Sequence, residues 1–390
     1  MKHNIKALDA QSCIGCLACK YVCPIGCINK TKDSLGFEYP SVDESKCIEC
    51  GRCIRACPVL NQGPRESNNY FLAAQATDYS KRIQSSSGGI FRIVAEKAQA
   101  EGYAIYGAVL DSNHYVRHIR TKESDFTAMC GSKYVQSDIS DVYQYIKEDI
   151  QNGIKVMFSG TPCQVAAIKR FAESQQGYKK ENFLFVDLIC HGVGSPKLWD
   201  EYVASIGNVE NVRDISFRDK ATGWHTSSFS FTLGDGKKLL SHEQCHYMRA
   251  YGENLCLRNA CFHCQFKGFD RDSDMTLGDF WDRNVKGYDA FVHDDTGIST
   301  VIAHSDKILR RLEALKRDGE IILQTYSKDR IAEFNKCAVA STKPSKKQRK
   351  FLKLLAKGYP LEKAVQVASK RSFPEKCANK IVFEIKKILK

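Results

Sequence analysis

The run over residues 13–24, near the start of the chain, is Cys13-Ile14-Gly15-Cys16-Leu17-Ala18-Cys19-Lys20-Tyr21-Val22-Cys23-Pro24. Its four cysteines are separated by two, two and three residues, and a proline follows the fourth. The same pattern recurs 34 residues later, as Cys47, Cys50, Cys53, Cys57 and Pro58. Two copies of one pattern predict a small unit with an internal repeat, which we place at residues 1–62.

These cysteines are expected to be metal ligands rather than disulfide partners. Nine of the 18 cysteines fall within this unit, and such dense, short-spaced thiols indicate metal binding in a reducing compartment. A [4Fe–4S] cluster takes three thiolates from one tight loop and its fourth from the other loop. We therefore assign one cluster to Cys13, Cys16, Cys19 and Cys57, and a second cluster to Cys47, Cys50, Cys53 and Cys23. Zinc knuckles do not explain two runs of four that each end in proline. Cys27 lies outside the pattern and is expected to be a small buried residue.

Residues 70–342 are expected to form an α/β domain, joined to the first unit by a polar segment over 61–69. An apolar strand over 154–158 is followed by a turn and a helix that reaches about Phe171, and a strand over 183–189 is followed by a helix over Pro196–Ile206. Two successive strand–turn–helix units indicate a parallel sheet whose turns share one edge. A β-hairpin is predicted around Gly234-Asp235-Gly236.

Four cysteines in this domain are candidates for a further metal site. Cys163 follows the first of these strands, Cys190 follows the second, and Cys261 and Cys264 form a C-x2-C pair. The spacing alone leaves three interpretations open, namely a third cluster, a zinc site, and core cysteines beside an unrelated C-x2-C pair. Cys256 competes as a ligand, whereas His191 and His263 are expected to make ordinary hydrogen bonds. The remaining isolated cysteines are expected to be structural: Cys130, Cys245, Cys337 and Cys377.

The positive charge of the chain is concentrated in residues 343–390. The formal net charge is +13, and this segment holds 15 Lys and Arg against three Glu. We expect two helices that are broken near Pro374. Three interpretations stay open for this tail, namely contact with a membrane surface, attraction of an acidic electron donor, and a solvated helix packed on the body. The apolar residues at helical spacing beside the lysines are Phe351, Leu354, Leu355, Ile381, Ile385 and Ile388.

The composition and the motifs also exclude some classes of protein. Apolar and charged fractions are those of a globular protein. The chain shows no secretory leader and no apolar run long enough to span a bilayer, so we expect a cytoplasmic protein with at most peripheral membrane contact. It shows no nucleic-acid-binding motif, so we expect no nucleic-acid partner.

Three polar runs outside the cysteine motifs look like cofactor contacts. Ser85-Ser86-Ser87-Gly88-Gly89 precedes a predicted helix that reaches about Glu101, and a glycine-rich turn before a helix suits a phosphate. The other two runs are Gly131-Ser132-Lys133-Tyr134 and Arg271-x-Ser273-Asp274-x-Thr276-x-Gly278-Asp279-Phe280-Trp281. The order and spacing of these runs, with Gly160-Thr161-Pro162-Cys163-Gln164 and Cys190-His191-Gly192-Val193, resemble the family of beta subunits of coenzyme F420 hydrogenases and dehydrogenases, in the branch with a fused dicluster ferredoxin domain.

The resemblance implies a fold, cofactors and partners. It implies an α+β dicluster ferredoxin domain, an α/β domain that binds FAD, and the basic helical tail. It favours a third [4Fe–4S] cluster at Cys163, Cys190, Cys261 and Cys264. It also makes flavin contacts of Ser87, Gly88, Gly89, Lys133, Tyr134 and Arg271. Family members pass electrons between clusters, FAD and either coenzyme F420 or an organic substrate, and the residues show no deazaflavin pocket. We therefore expect an iron–sulfur flavoprotein oxidoreductase that exchanges electrons with a protein such as ferredoxin and with a small-molecule redox substrate. The alternative is a non-catalytic electron-transfer module that docks on a partner enzyme.

Overall fold

The computed structural model describes residues 4–65, 67–121, 126–282, 288–344 and 346–369. The strands in these ranges are β1 (Ile28–Lys32), β2 (Glu38–Val42), β3 (Tyr70–Ala76), β4 (Tyr103–Leu110), β5 (Val116–Thr121), β6 (Lys155–Gly160), β7 (Phe183–Leu188), β8 (Val212–Asp219), β9 (Ser228–Leu233), β10 (Gly236–Leu240), β11 (Met275–Asp279), β12 (Ser299–Ala303) and β13 (Ile321–Thr325). The helices are α1 (Ala18–Tyr21), α2 (Arg52–Arg55), α3 (Tyr79–Ile83), α4 (Ile90–Ala100), α5 (Val142–Gln151), α6 (Pro162–Glu173), α7 (Pro196–Ile206), α8 (His246–Gly252), α9 (Asp306–Arg317), α10 (Lys328–Phe334), α11 (Lys336–Val339), α12 (Lys346–Ala356) and α13 (Leu361–Ser369).

The N-terminal unit repeats its backbone as well as its sequence. Each cysteine run ends in a one-turn helix, α1 or α2, and β1 pairs with β2 in an antiparallel hairpin between the two runs. Positive φ angles occur at Gly15 (70°) and Leu17 (59°) in the first run and at the equivalent Glu49 (52°) and Gly51 (70°) in the second. Left-handed backbone is costly for leucine and glutamate. The tight loop therefore requires this conformation whichever residue occupies the position.

The body is built on an eight-stranded sheet with the order β13-β3-β12-β11-β7-β6-β4-β5. The predicted parallel pair is confirmed, because β6 pairs in parallel with β7, and the parallel arrangement extends to β4 and β11. The sheet as a whole is mixed, with β12, β3, β13 and β5 antiparallel to their neighbours. Antiparallel neighbours need no crossover helix between them, and the described residues between β11 and β12 include only the short 3-10 helix Tyr288–Ala290.

Helices cover both faces of this sheet. Apolar residues of α4 and α9 pack on one face and those of α5 and α6 pack on the other. The helix predicted to end near Phe171 is observed as α6, and α7 has the predicted bounds Pro196–Ile206. The predicted hairpin is also observed as β9 and β10, which join β8 in a separate three-stranded sheet.

The described part of the basic tail packs on the body. Phe351 of α12 and Leu361 and Val365 of α13 are buried in a cluster that includes Trp199 of α7. Residues 357–360 separate α12 from α13, because Gly358 (φ 80°) follows the end of α12 and Pro360 precedes α13. Pro374 lies outside the described residues, as do Cys377, Ile381, Ile385 and Ile388. No helix in the ranges that the structure describes is long and apolar enough to cross a bilayer.

Candidate functional site

The first cysteine set, Cys13, Cys16, Cys19 and Cys57, comes together on the side of the N-terminal unit that faces the body. Three of its members are buried and Cys16 is half-buried. Burial raises the pKa of the Cys16 thiol, and each of the other three members lies close enough to raise it further by charge repulsion. The Cys57 thiol of the second run therefore lies close to the three thiols of the first run, as a crossed arrangement of ligands requires.

The second cysteine set, Cys47, Cys50, Cys53 and Cys23, lines a cavity near the surface. All four cysteines line its wall. Cys50 is exposed, as is the neighbouring Ile48, which is 63% exposed. Cys27 also lines the cavity, is buried as expected, and lies with its Sγ 3.5 Å from that of Cys23. Four thiols around a cavity with apolar walls fit a [4Fe–4S] cluster.

The third cysteine set, Cys163, Cys190, Cys261 and Cys264, converges at the carboxyl edge of β6 and β7. Cys163 is the second residue of α6, whose start is fixed by a capping box between Thr161 and Gln164. Burial raises the pKa of Cys163 to about 12, and the thiols of Cys264 and Cys261 add to this effect. Burial also raises the pKa of Cys190, which is increased further by the other three thiols of the set. All four thiols are thus mutual neighbours.

Two neighbouring residues that were considered as ligands make other contacts. Cys256 does not belong to the set, since it is buried in a core cluster with residues of α7 and α8. His191 makes hydrogen bonds, as expected, with Nδ1 3.3 Å from Cys337 Sγ and Nε2 2.6 Å from Asn254 Oδ1. Cys337 is therefore not isolated.

The third set lies between the N-terminal unit and a group of aromatic residues. Arg258, three residues before Cys261, donates its Nε–H to the Cys13 carbonyl at 2.8 Å. On the other side, the pKa of Tyr251 is raised by burial and then by the nearby Cys190 thiol. The Tyr251 ring also packs against Tyr134, with centroids 4.8 Å apart. One contiguous path of packed groups therefore runs from the first set through the third set to Tyr134.

Two of the loops predicted to contact a flavin meet at Ser86 and Ser132. Ser86 Oγ and Ser132 Oγ are 2.9 Å apart, which joins the run over 85–89 to the run over 131–134. Lys133 turns back into its own loop and donates to the carbonyls of Ala128 (2.6 Å) and Cys130 (3.2 Å). Burial lowers the pKa of Lys133 to about 8.

Gly88 allows the first loop to pack closely against β3, and Gly89 lets the chain turn into α4. Gly88 N–H donates to Ser299 Oγ at 3.0 Å, and a Cβ at Gly88 would lie 2.7 Å from the Ala74 carbonyl. Ser87 donates to the Ile298 carbonyl at 2.6 Å, and Gly89, with φ 83°, precedes α4. The Gly88 amide is thus engaged within the chain rather than open toward a phosphate.

Arg271 lies in a different environment from these loops. It is buried with its Nη1 3.4 Å from Asp187 Oδ2, and it donates to the carbonyls of Gly268 (2.7 Å) and Ala338 (3.3 Å). Asp187 also accepts from Thr276. In the described chain Arg271 therefore joins β7 to the segment that carries Ala338, and it does not extend the group formed by Ser86, Ser132 and Tyr134.

Sequence reasoning missed Arg218, Lys220 and Trp224, which join Asp279 and Trp281 of the third predicted run to this group. Arg218 pairs with Asp279 at 2.7 Å, and its guanidinium lies 5.5 Å from the Trp281 ring. Trp281 stacks on Trp224 with centroids 5.0 Å apart and planes 6° apart. Lys220 donates to the Ser87 carbonyl at 3.1 Å, and burial, followed by the charge of Arg218, lowers the pKa of Lys220 to about 7. Arg218 lies in β8, and Lys220 and Trp224 follow that strand. This part of the sequence carries no recognisable motif.

Comparison with known proteins agrees with the two parts of the chain. Residues 12–61 match the family described as 4Fe-4S dicluster domain, and residues 153–329 match the family described as the C terminus of the coenzyme F420 hydrogenase/dehydrogenase beta subunit. The chain is similar to one of the subunits of the F(420)H(2) dehydrogenase of Methanosarcina mazei, with 22% identity over 272 residues, which cover 66% of this chain and 73% of that protein.

Two further similarities are more limited. The N-terminal part is similar to one of the subunits of the ion-translocating oxidoreductase complex of Methanosarcina acetivorans, with 36% identity over 55 residues, which cover 14% of this chain and 19% of that protein. A chain of the F420-reducing [NiFe] hydrogenase complex from Methanosarcina barkeri aligns with a TM-score of 0.48 and 17% identity over 70% of this chain and 88% of that chain. On the family matches, this chain joins a 4Fe-4S dicluster domain to a domain of the family of coenzyme F420 hydrogenase/dehydrogenase beta subunits and is an iron–sulfur electron-transfer protein.

Proposed function

We propose that the chain is a flavin-dependent iron–sulfur oxidoreductase. Electrons would pass between a protein partner, the two clusters of the N-terminal unit, a third cluster at the third cysteine set, and FAD. The observation that carries this proposal is the position of the third set, between the first set and the loops around Tyr134. When bound, the clusters carry single electrons and the flavin collects two before passing them onward.

The outer end of this path favours exchange with another protein. Cys50 and Ile48 are exposed beside the second set, and Ile25 on the same cavity wall is 42% exposed. An apolar surface patch at a redox site suits contact with a partner protein. The first set is buried behind it, so a donor or acceptor such as a ferredoxin would dock at the second set.

The inner end of the path favours an anionic cofactor. Lys133 and Lys220 are directed at main-chain carbonyls, and Arg218 is paired with Asp279. Below a pH of about 7 both lysines are protonated and add positive charge beside Ser87 and Ser132. Two phosphates of FAD would suit this charge, and the stacked Trp224 and Trp281 offer an apolar surface for a ring system. The substrate at this end would be a small molecule.

The proposal is tested by cofactor analysis of the full chain purified without oxygen. Three [4Fe–4S] clusters predict about twelve irons per chain, together with about one FAD. Cys163→Ala and Cys261→Ala should each lose about four irons, whereas Cys256→Ala, a matched buried cysteine of the core, should lose none. Protein with about eight irons and no flavin would instead support the non-catalytic electron-transfer module.

Loss of FAD on local substitution would strengthen the assignment of its site. Arg218→Met removes the guanidinium beside Trp281, and we expect bound FAD to fall at least tenfold while iron is retained. Arg117→Met is the matched control, because this arginine is 48% exposed and pairs with Asp111 on the hairpin between β4 and β5. Equal FAD content in the two variants would contradict this position for the flavin.

A further inference from the structure

Arg258 is a buried cation at the junction between the N-terminal unit and the body. It is only 1% exposed. Its guanidinium donates to the carbonyls of Cys13 (2.8 Å) and Glu38 (2.7 Å) and to Gln136 Oε1 (2.9 Å). It also lies 4.3 Å from the centre of the Tyr39 ring. Every one of these contacts except that with Gln136 is made to the N-terminal unit.

The first cysteine loop is shaped to receive this guanidinium. Gly15 has φ 70°, and a Cβ at Gly15 would lie 2.5 Å from Arg258 Nη1. Any larger residue would therefore displace the arginine. Glycine serves here for close approach as well as for its backbone conformation.

Two other side chains of the body hold the same loop. Gln136 donates its Nε2–H to the Ile14 carbonyl at 3.0 Å, and Tyr143 donates its hydroxyl to the Cys16 carbonyl at 2.8 Å. With Arg258 on Cys13, three carbonyls in four residues of the loop are bound by the body. The position of the first cysteine set relative to the third is thus determined by side chains of the body.

The charge of Arg258 is not balanced by its hydrogen-bond partners. In the described chain these are two main-chain carbonyls and one amide oxygen, and a buried charge without a compensating charge is costly. Thiols of two cysteine sets lie on either side of it, since it contacts the Cys13 carbonyl and its charge also acts on the thiols of Cys163 and Cys261. A cluster with four thiolate ligands is anionic, so a cluster on each side would supply the missing charge.

We propose that Arg258 is a positioning residue that holds the first cluster loop against the third cysteine set and supplies the positive charge between them. The inference rests on the proposed function, because it concerns passage of electrons between these two sets. With both clusters bound, one electron would cross at a time, one cluster being oxidised as the other is reduced. A fixed cation favours the more negative, reduced state on both sides.

The experiment uses the full chain and compares Arg258→Met, Arg258→Lys and Arg82→Met. Arg82 is the matched control, because it is 3% exposed and also donates to main-chain carbonyls, at Ala76 and Thr77. Reduction potentials are measured by titration followed by EPR, and loop closure is measured by amide hydrogen exchange at residues 13–19. Iron content is measured in every variant.

Arg258→Met should shift the potentials of the first and third clusters to more negative values, leave that of the second cluster unchanged, and speed exchange in the loop at least tenfold. Arg258→Lys should restore much of the potential but not the protection from exchange, since it keeps the charge and loses the fork of donors. Arg82→Met should change neither measurement. Wild-type potentials and exchange in Arg258→Met would overturn the inference.

Two outcomes separate this inference from the proposed function. If wild-type protein lacks the third cluster, the proposed function fails there, but the shift at the first cluster still tests Arg258. If Arg258→Met does not fold or bind iron, Tyr143→Phe removes the contact with the Cys16 carbonyl alone, and Gln136→Leu removes the contact with the Ile14 carbonyl together with one acceptor of Arg258; both keep the charge. Faster exchange in the loop with unchanged potentials would then support the positioning role, and unchanged exchange in both would overturn it.

Discussion

Replacing Phe351 with alanine should release the described part of the basic tail from the body. The Phe351 side chain is fully buried and packs in the same cluster as Leu361 and Val365. Burial of one such side chain contributes about 1.5–3 kcal/mol, so the three together contribute roughly 5–9 kcal/mol to docking of α12 and α13. Phe351→Ala removes the ring and leaves a cavity, which should cost about 3–5 kcal/mol.

The assay is urea unfolding combined with limited trypsin digestion. The variant should lose about 3–5 kcal/mol of the free energy of unfolding, or, if the helices detach first, become sensitive to trypsin at the lysines of α12. Tyr359→Ala is the matched control, because this ring is 41% exposed in the turn between the same helices. Its change should stay within about 1 kcal/mol.

Wild-type stability and an unchanged digestion pattern in Phe351→Ala would refute the docking of this segment. The interpretation of Phe351, Leu354 and Leu355 as a membrane-facing stripe would then regain support. It could be measured by co-sedimentation of wild type and variant with anionic liposomes. If the helices are docked as described, Phe351→Ala should bind liposomes more strongly than wild type, because only a released hairpin presents this face.

Acid sensitivity, a glycine contact and an ion pair can each be tested by one substitution. Burial lowers the pKa of His118 to about 4; the unfolded chain therefore takes up the proton first, and stability should fall by up to about 3 kcal/mol as the pH drops from about 6.5 to 4. His118→Gln should flatten this part of the stability–pH curve from urea unfolding, and an unchanged slope would contradict it. Gly88→Ala places a Cβ 2.7 Å from the Ala74 carbonyl and should cost about 1–3 kcal/mol, visible as a lower Tm; a wild-type Tm would exclude the close contact. Asp149→Ala leaves the half-buried Arg120 without its two hydrogen bonds of 2.8 and 2.5 Å and should cost about 3–5 kcal/mol by calorimetry; a loss under about 1 kcal/mol would show that the pair is solvated.

The metal-binding cysteines could be predicted because their chemistry is encoded in short spacing. A cluster loop needs three thiolates within seven residues, so Cys13, Cys16 and Cys19 are recognisable without any knowledge of the fold. Prediction of the third set required one additional inference, namely that Cys163 and Cys190 follow neighbouring parallel strands. Pairing of β6 with β7 brings both residues to one edge of the sheet.

Other features depend on contacts between residues far apart in the sequence. The antiparallel strands β3, β12 and β13 join the sheet through pairings that local periodicity does not encode. The tail shows the same limit, because a helix with one apolar face has the same spacing whether that face meets a membrane or a protein core. Gly88 was expected to expose its amide, whereas it is a glycine because β3 passes close to it.

Arg258 is the clearest example of a residue beside the cysteine sets that no sequence motif marks. An arginine in a loop is usually exposed, and nothing in the neighbouring sequence marks this one as buried. Its three hydrogen bonds reach residues more than 100 positions away. Its burial and its contacts with Cys13 and Glu38 arise only because the N-terminal unit packs against the body.

Exposure of the three cysteine sets indicates how the proposed path would be used. Cys50 of the second set is exposed. Three of the four cysteines in the first set are buried, and all four in the third set are half-buried. Under the proposed function, electron exchange with a protein is therefore favoured at the second set, and the first and third sets would pass electrons between it and the interior. A simple docking module would need one accessible redox site and no inner path. The packed groups from Cys13 through Arg258 and Cys190 to Tyr251 and Tyr134 favour such a path, and we propose that it ends beside Ser132 and Trp281, where a small molecule rather than a protein would be reduced or oxidised.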